Sequence, residues 1–243
     1  MEKGSLGVIG GMGPKATSVF FDRVIEKTDA EIDQNHIDMV IVNHASLPDR
    51  TDVLQSNRIK ERLFLDAVSK DLVLLQNAGV SNIAVPCNTA HYFYNEMQKI
   101  TSVPIINMVN ETIKVVANKY GPGSRVGVLA TNGTINNGIY RNECEALELE
   151  FYKPNENIQQ RIMEMIYKIK KNQYVDTFEL EDIIEELQKK CCHCVIIACT
   201  ELSCIPLSSE IRRYCVDAMD VLVEQSILRS GKRVIHSDFA KGK

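Results

Sequence analysis

Short apolar runs rich in β-branched residues alternate along the chain with longer amphipathic stretches, the pattern that a parallel sheet covered by helices leaves in a sequence. Leu6-Gly7-Val8-Ile9 reads as a first buried strand, and the tight loop Gly10 to Pro14 opens a helix from about Lys15 to Thr28. A second strand is expected over Asp38 to Val42. In the long helix from about Asn57 to Asn77, Leu63, Ala67, Leu72 and Leu75 are placed on one face and Gly79 is the stop. Strand Asn82 to Val85 then delivers Pro86-Cys87, and Thr89 to Lys99 forms the next helix. After Pro104-Ile105-Ile106 a helix runs to about Tyr120. Gly121-Pro122-Gly123-Ser124, which follows, is the clearest turn signal in the chain.

The second half begins as the first did. Gly7 to Gly13 can be laid on Gly127 to Gly133, and Ile83 to Thr89 has its counterpart in Cys194 to Thr200. Between these landmarks lie amphipathic helices over Gln159 to Lys171, with Ile162, Ile166 and Ile169 inward, and over Leu180 to Lys190, with Ile183, Ile184 and Leu187 inward. Each half closes with a strand-loop-helix ending, Ile105 to Val116 and Val216 to Ile227. The expected fold is therefore α/β, with two pseudo-symmetric lobes that each hold an open, mainly parallel sheet flanked by helices. Residues 1–103 form the lobe carrying Cys87, and 104–215 the lobe carrying Cys199.

Composition narrows the field of functions. Of 243 residues 44% are hydrophobic and 25% charged, which fits a soluble globular protein and excludes a disordered or fibrous one. Net charge is −4 with Lys and Arg scattered, so nucleic acid is not an expected partner. No apolar run approaches the ~20 residues of a membrane span, and Met1-Glu2-Lys3 passes directly into a strand-like segment, so no membrane partner and a cytoplasmic location are expected. Most of the eight cysteines are then expected to be free thiols.

Candidate chemistry concentrates at the strand ends. Cys87 and Cys199 each sit just past a β-branched run, at the carboxyl edge where open sheets bind ligands and where a following helix N-terminus favours an anion. A thiol placed there leans towards thiolate. Arg50, in the loop Leu47 to Asp52, is either a surface ion pair or a carboxylate-binding fork. His91 is an acid–base candidate that more often serves to cap or pack. Gly11-x-Gly13-x-x-Ala16 fits a relaxed dinucleotide fingerprint, but the second strand ends in Asn43-His44 and offers no acidic residue for a ribose. Cys191-Cys192-His193-Cys194 invites a zinc reading. Adjacent residues entering a strand alternate faces and do not converge on one metal, so core cysteines are expected there.

Pro86-Cys87-Asn88-Thr89-Ala90-His91 and Ala198-Cys199-Thr200-Glu201-Leu202, with Gly10-Gly11-Met12-Gly13-Pro14 and Arg50 in Leu47-Pro48-Asp49-Arg50-Thr51, resemble the cofactor-independent aspartate/glutamate racemase family, and aspartate racemases most of all. The resemblance spans about Leu6 to about Ile227. It implies two lobes closing on a cleft, with the last helix of each half exchanged so that about 216–229 packs back on the first lobe, and it implies a homodimer. It also implies Arg50 as a substrate-binding residue and a lysine spaced from Ile166-Tyr167 as Lys171 is. Lys168 and Lys170 compete for that role, and Asn172-Gln173 stands where the family has a glycine.

Two thiols on opposite faces of one α-carbon, one taking a proton and the other giving one, would invert the stereocentre with no PLP and no metal. Met12 and Gly13 would close the rim, and Asn88, Thr89, Thr131 and Thr200 would hold the α-carboxylate. Arg50 and Lys171 would neutralise a side-chain carboxylate, with Glu201 counted among the residues that contact substrate. Other readings are a broad-specificity or glutamate racemase, a maleate or hydantoin isomerase, an arylmalonate decarboxylase, and a dicarboxylate sensor that performs no chemistry.

Overall fold

The computed structural model describes residues 4–56 and 58–235. In the first half β1 (Leu6–Gly10), α1 (Pro14–Lys27), β2 (Met39–Asn43), α2 (Arg50–Gln55), α3 (Arg58–Asn77), β3 (Asn82–Ala84), α4 (Tyr94–Ile100) and α5 (Met108–Tyr120) follow one another. The second half holds β4 (Arg125–Leu129), α6 (Asn132–Asn136), α7 (Ile139–Ala146), β5 (Glu150–Tyr152), α8 (Glu156–Lys170), α9 (Thr177–Lys189), β6 (Cys194–Ile197), α10 (Ser209–Arg212), β7 (Cys215–Asp217) and α11 (Ala218–Arg229). The strands pair in parallel as two sheets, β2-β1-β3 and β5-β4-β6-β7. A parallel bridge from Ile83 to Ile105 extends the first sheet where β7 extends the second.

The register is the same in both halves. Gly7 of β1 faces Ile83 of β3, and Gly127 of β4 faces Val195 of β6; in each case the partner lies four residues ahead of a cysteine. Pleat and hydrogen-bond ladder therefore carry Cys87 and Cys199 to the same edge of their sheets.

Both sheets are apolar on each face, as the β-branched runs require. The first is covered on one side by α3 and α4 through Phe64, Leu72, Leu75 and Met97. On the other side it is covered by Phe20 and Val24 of α1 together with Met219, Leu222 and Ile227 of α11. The second sheet buries Ile162 and Ile166 of α8 and Ile183, Ile184 and Leu187 of α9 on one face. Its other face meets Tyr140 of α7 and Ile113 and Val116 of α5. Helix α5 thus leaves the first half to cover the second sheet, and α11 returns from the second half to cover the first.

Several local expectations need correction. Asn57, the expected start of the long helix, lies outside the described residues. Leu63 points to solvent at 56% exposure, and the stripe that faces the sheet is Phe64, Val68, Asp71, Leu72 and Leu75. Thr89 to Lys99 is not one helix but a 3-10 segment over Thr89–Phe93 followed by α4. Arg50 begins α2 rather than sitting in an open loop, because the Asp49 carboxylate accepts the Thr51 and Asp52 N–H groups as an N-cap. The short elements α6, α7 and β5 fall between the segments that the pattern predicts.

The cysteine cluster divides between environments. Cys192 and Cys194 are buried in the cores on opposite faces of the second sheet, where loss of water pushes their thiols up to about 11 and about 12. Cys191 departs from the core expectation and is exposed. All eight cysteines are free, and among the described residues no helix is long and apolar enough to cross a membrane.

Because Leu222 belongs to α11 yet is fully buried against the first sheet, Leu222→Ala is expected to lower unfolding free energy by about 3 kcal/mol. Urea denaturation followed by circular dichroism measures it. A cost below about 1 kcal/mol would show that the returned helix does not stabilise the first sheet.

Candidate active site

Cys87 follows β3 by way of Val85 and Pro86, and its N–H bonds to the Val85 carbonyl at 2.7 Å. Cys199 follows β6 by way of Ala198, whose N–H is held by the Leu129 carbonyl of β4 at 2.8 Å. The two cysteines, each about 5% exposed or less, line one cavity between the lobes. Its volume is about 10 Å³, room for roughly one water. Met12, Asn88, Thr89, Thr131, Thr200 and Glu201 line it with them, as do Asp49, Arg50, Thr51 and Lys170.

Polar contacts across the cleft hold this geometry. Thr89 Oγ1 meets Thr131 Oγ1 at 2.9 Å and Thr134 Oγ1 at 3.0 Å, joining the segment after Cys87 to the start of α6. Thr200 Oγ1 donates to the Pro86 carbonyl at 3.2 Å, and the Tyr140 hydroxyl donates to Asn88 Oδ1 at 2.6 Å. Three buried polar atoms of the lining residues have no partner: Asn88 Nδ2, Arg50 Nε and Glu201 Oε1. Buried groups left unpaired are costly, so these are the positions where a ligand has most to offer.

Arg50 is 7% exposed and spends its terminal nitrogens on backbone, donating to the carbonyls of Pro48 at 2.8 Å, Leu47 at 3.3 Å and Met12 at 3.3 Å. It is not the surface ion pair its acidic neighbours invite. Asp49 instead binds Lys170 Nζ at 3.0 Å across the lobes. Burial opposes ionisation of both partners. For Lys170 the nearby Glu201 and Asp49 carboxylates outweigh it and hold the ammonium above its ordinary range; for Asp49 the lysine and the capped N–H groups hold the carboxyl below its own.

Three site expectations change. Lys170, not Lys171, lines the cavity: Lys171 is the exposed C-cap of α8, while the preceding residue turns back towards Asp49. Gly13 borders a second, outer cavity rather than the inner one. The thiolate tendency fails for Cys199. The segments that follow the two cysteines are short 3-10 turns with no long helix dipole, and burial together with the adjacent Glu201 carboxylate pushes the Cys199 thiol well above its ordinary value. Its Sγ donates to Glu201 Oε2 at 3.1 Å. Asp49 and Thr134 were not singled out from sequence, since an N-cap and a helical threonine look the same with or without a site beside them.

The glycine loop serves close packing. Gly11 has φ +88°, and a Cβ there would fall 2.4 Å from the His44 carbonyl carbon; its N–H is taken by Thr17 Oγ1 at 2.9 Å. His91 is also structural. Its Nδ1 lies 2.9 Å from the Cys87 carbonyl and its Nε2 accepts the Met108 N–H at 3.1 Å, which assigns the neutral tautomer with the proton on Nδ1. Burial pushes its pKa down, although the carbonyls of Cys87 and Ile106 oppose this.

Two α/β lobes with a cysteine from each at a shared cleft define a class of proteins, and comparison with known proteins gives it a family. The Asp/Glu/Hydantoin racemase family model matches residues 9–226. The chain belongs to that family and is an isomerase of the racemase type. It is 33% identical over 203 residues to the broad specificity amino-acid racemase RacX of Bacillus subtilis, covering 82% of this chain and 86% of that one. Its structure is similar to that of Picrophilus torridus aspartate racemase, with a TM-score of 0.79, 28% identity and coverage of 95% and 96%. Glutamate racemase isoform RacE1 from Bacillus anthracis shares the fold at 16% identity, with a TM-score of 0.59 and coverage of 93% and 80%.

His91 generates a prediction with a definite sign. Its folded pKa is depressed, so the stability it contributes is present above its unfolded value of about 6.5 and is lost as pH falls towards the folded one. Urea unfolding of wild type and His91→Asn between pH 7.5 and 5 should show the wild type losing up to about 1.4 kcal/mol per pH unit more than the variant below pH 6.5. Parallel pH profiles would remove His91 as the cause.

Proposed function

We propose that this racemase inverts an amino acid, aspartate first, by two-base chemistry with Cys87 and Cys199 on opposite faces of the α-carbon. The observation that carries this reading is that equivalent strand ends of the two halves bring their cysteines to one small cavity. Hydrogen-bonded to Glu201 and raised in pKa, Cys199 is the thiol; among the described residues no carboxylate hydrogen-bonds to the Cys87 sulfur, and Cys87 acts as the base at the start of a turnover. Cys87 removes the α-proton on one face and Cys199 delivers its own on the other. The C–H bond that breaks on one side is replaced by one that forms opposite.

An α-proton is far less acidic than a thiol of pKa ~8.5, so the developing carbanion needs electrostatic help. We assign Asn88 Nδ2, which has no partner, and the cavity-lining hydroxyls of Thr89 and Thr131 to the α-carboxylate, onto which that charge spreads. Arg50, with Nε unpartnered, and Lys170 are suited to a second carboxylate on the substrate side chain. A cavity with room for one water must open to admit an amino acid, and the cross-cleft hydrogen bonds are its points of parting.

A second reading, a wider substrate range, is favoured by the charge balance of the lining. Asp49 and Glu201 offset Arg50 and Lys170, so the cavity is not strongly cationic, and a relative at 33% identity is a broad specificity racemase. We place the enzyme in the cytoplasm, as eight free thiols favour a reducing compartment. We also assign a homodimer, for which exposed Ile59, Leu63, Val73 and Leu74 of α3 offer an apolar face.

A chiral assay over L- and D-amino acids without added PLP tests the proposal. Cys87→Ser and Cys199→Ser are each expected to cut kcat/KM by roughly 10²–10⁴ with the fold retained; full activity in either variant would sink the two-base scheme. Arg50→Lys, which keeps the charge but not the fork, should lose at least about tenfold more on aspartate than on alanine. Equal losses on the two substrates would take Arg50 out of the side-chain pocket.

A further inference from the structure

The symmetry that aligns the two cysteines breaks two residues further on. Thr89 follows Cys87 at the place where Glu201 follows Cys199, and Thr89 turns its hydroxyl to Thr131 and Thr134. Glu201 is 4% exposed and divides its carboxylate between two directions. Oε2 accepts the Cys199 thiol at 3.1 Å. Oε1 is buried without a partner, and it faces Gly13, where a Cβ would stand 3.3 Å from it. Gly13 belongs to the wall of an outer cavity of about 220 Å³ that Lys15, Ala45 and Leu47 also line. Asp49, Arg50, Lys170 and Glu201 separate this space from the inner cavity, and among the described residues only Glu201 of these four hydrogen-bonds to a catalytic sulfur.

We propose that Glu201 is a proton relay connecting Cys199 to water in the outer cavity, and that it resets the enzyme between turnovers. This inference rests on the two-base reading. A turnover begun with Cys87 as thiolate and Cys199 as thiol leaves the reverse, Cys87–SH and Cys199–S⁻. Glu201 touches the Cys199 sulfur on one side and borders the outer cavity on the other, which gives the missing proton a direct route back. Glu201 Oε1 takes a proton from the outer cavity, and a half-turn about the terminal bond, whose torsion is broad and two-fold, brings it to the sulfur. There the O–H bond breaks and the S–H bond forms, and Glu201 is again a carboxylate. The Cys87 thiol gives its proton to water as product leaves, so one proton enters, one departs and the net charge is unchanged.

The same geometry explains why a carboxylate sits beside a thiol at all. Its presence and burial push Cys199 towards the protonated form, which is the form that must be restored. Threonine at the matching place beside Cys87 has no proton to exchange near neutral pH, so the two halves differ in how each sulfur regains its starting state.

Glu201→Gln tests this, because the amide still accepts a thiol hydrogen bond but carries no exchangeable acid. With L- and D-aspartate, kcat is expected to fall at least about tenfold while kcat/KM stays within about threefold, and added imidazole, a mobile proton carrier, should restore kcat. Glu201→Asp, which keeps an acid, should lose less kcat than Glu201→Gln. Unchanged kcat in Glu201→Gln, equal loss of kcat and kcat/KM without rescue, or an Asp variant no better than the Gln variant would each overturn the relay. The cysteine-to-serine variants separate the two proposals. If either serine variant still racemises, the two-base reading falls and the relay with it; if both are dead and Glu201→Gln shows no selective loss of kcat, the relay alone falls.

Discussion

The parallel ladder around β1 and β4 sets the position of everything that follows it. In each sheet this strand is fixed by hydrogen bonds on both sides, and its glycine faces the residue four places ahead of Cys87 or Cys199. The two glycines are there for closeness. A Cβ at Gly7 would meet Val80 Cγ2 at 2.9 Å and Leu75 Cδ1 at 3.1 Å, and one at Gly127 would meet Leu187 Cδ1 at 3.1 Å, so a side chain at either place would make these apolar neighbours shift. A one-residue slip in either ladder would turn its apolar side chains to the wrong faces and withdraw a cysteine from the cleft.

Different interactions hold the two cores and the cleft between them. Helices α5 and α11 bury leucine, isoleucine and valine against the opposite lobe's sheet and pack on each other, which ties the lobes together through apolar area. Across the cleft the ties include hydrogen bonds and the ion pair of Asp49 with Lys170, each contributing about 1 kcal/mol. Opening can therefore exchange a handful of polar contacts for water or substrate while both cores stay intact.

The site departs from symmetry beside its two sulfurs. Matched backbones deliver matched sulfurs, but Glu201 stands beside one and a threonine network beside the other. Lys170 and Asp49, drawn from different lobes, complete a lining whose charges balance. The acidic partner of Cys199 is thus both a neighbour in sequence and, through Gly13, a neighbour of a loop nearly 190 residues away.

How much of this was legible in the chain depends on the range of the interaction involved. Strands β1, β3, β4 and β6 could be read because fully buried strands need continuous β-branched runs, and Cys87 and Cys199 because each sits a fixed step beyond such a run. The repeat of one half in the other gave the two-lobed plan. Choices made by neighbours distant in sequence stayed hidden. Arg50 looked like a loop cation until Asp49 capped a helix under it, Lys170 and Lys171 differ by a single step around α8, and the Cys199 thiol was raised by burial that no local pattern records. Periodicity determines which residues face a core, because it is a property of one segment. Which polar atoms meet across a cleft, and which remain unpaired there, is decided only when two segments that never touch in sequence are packed together.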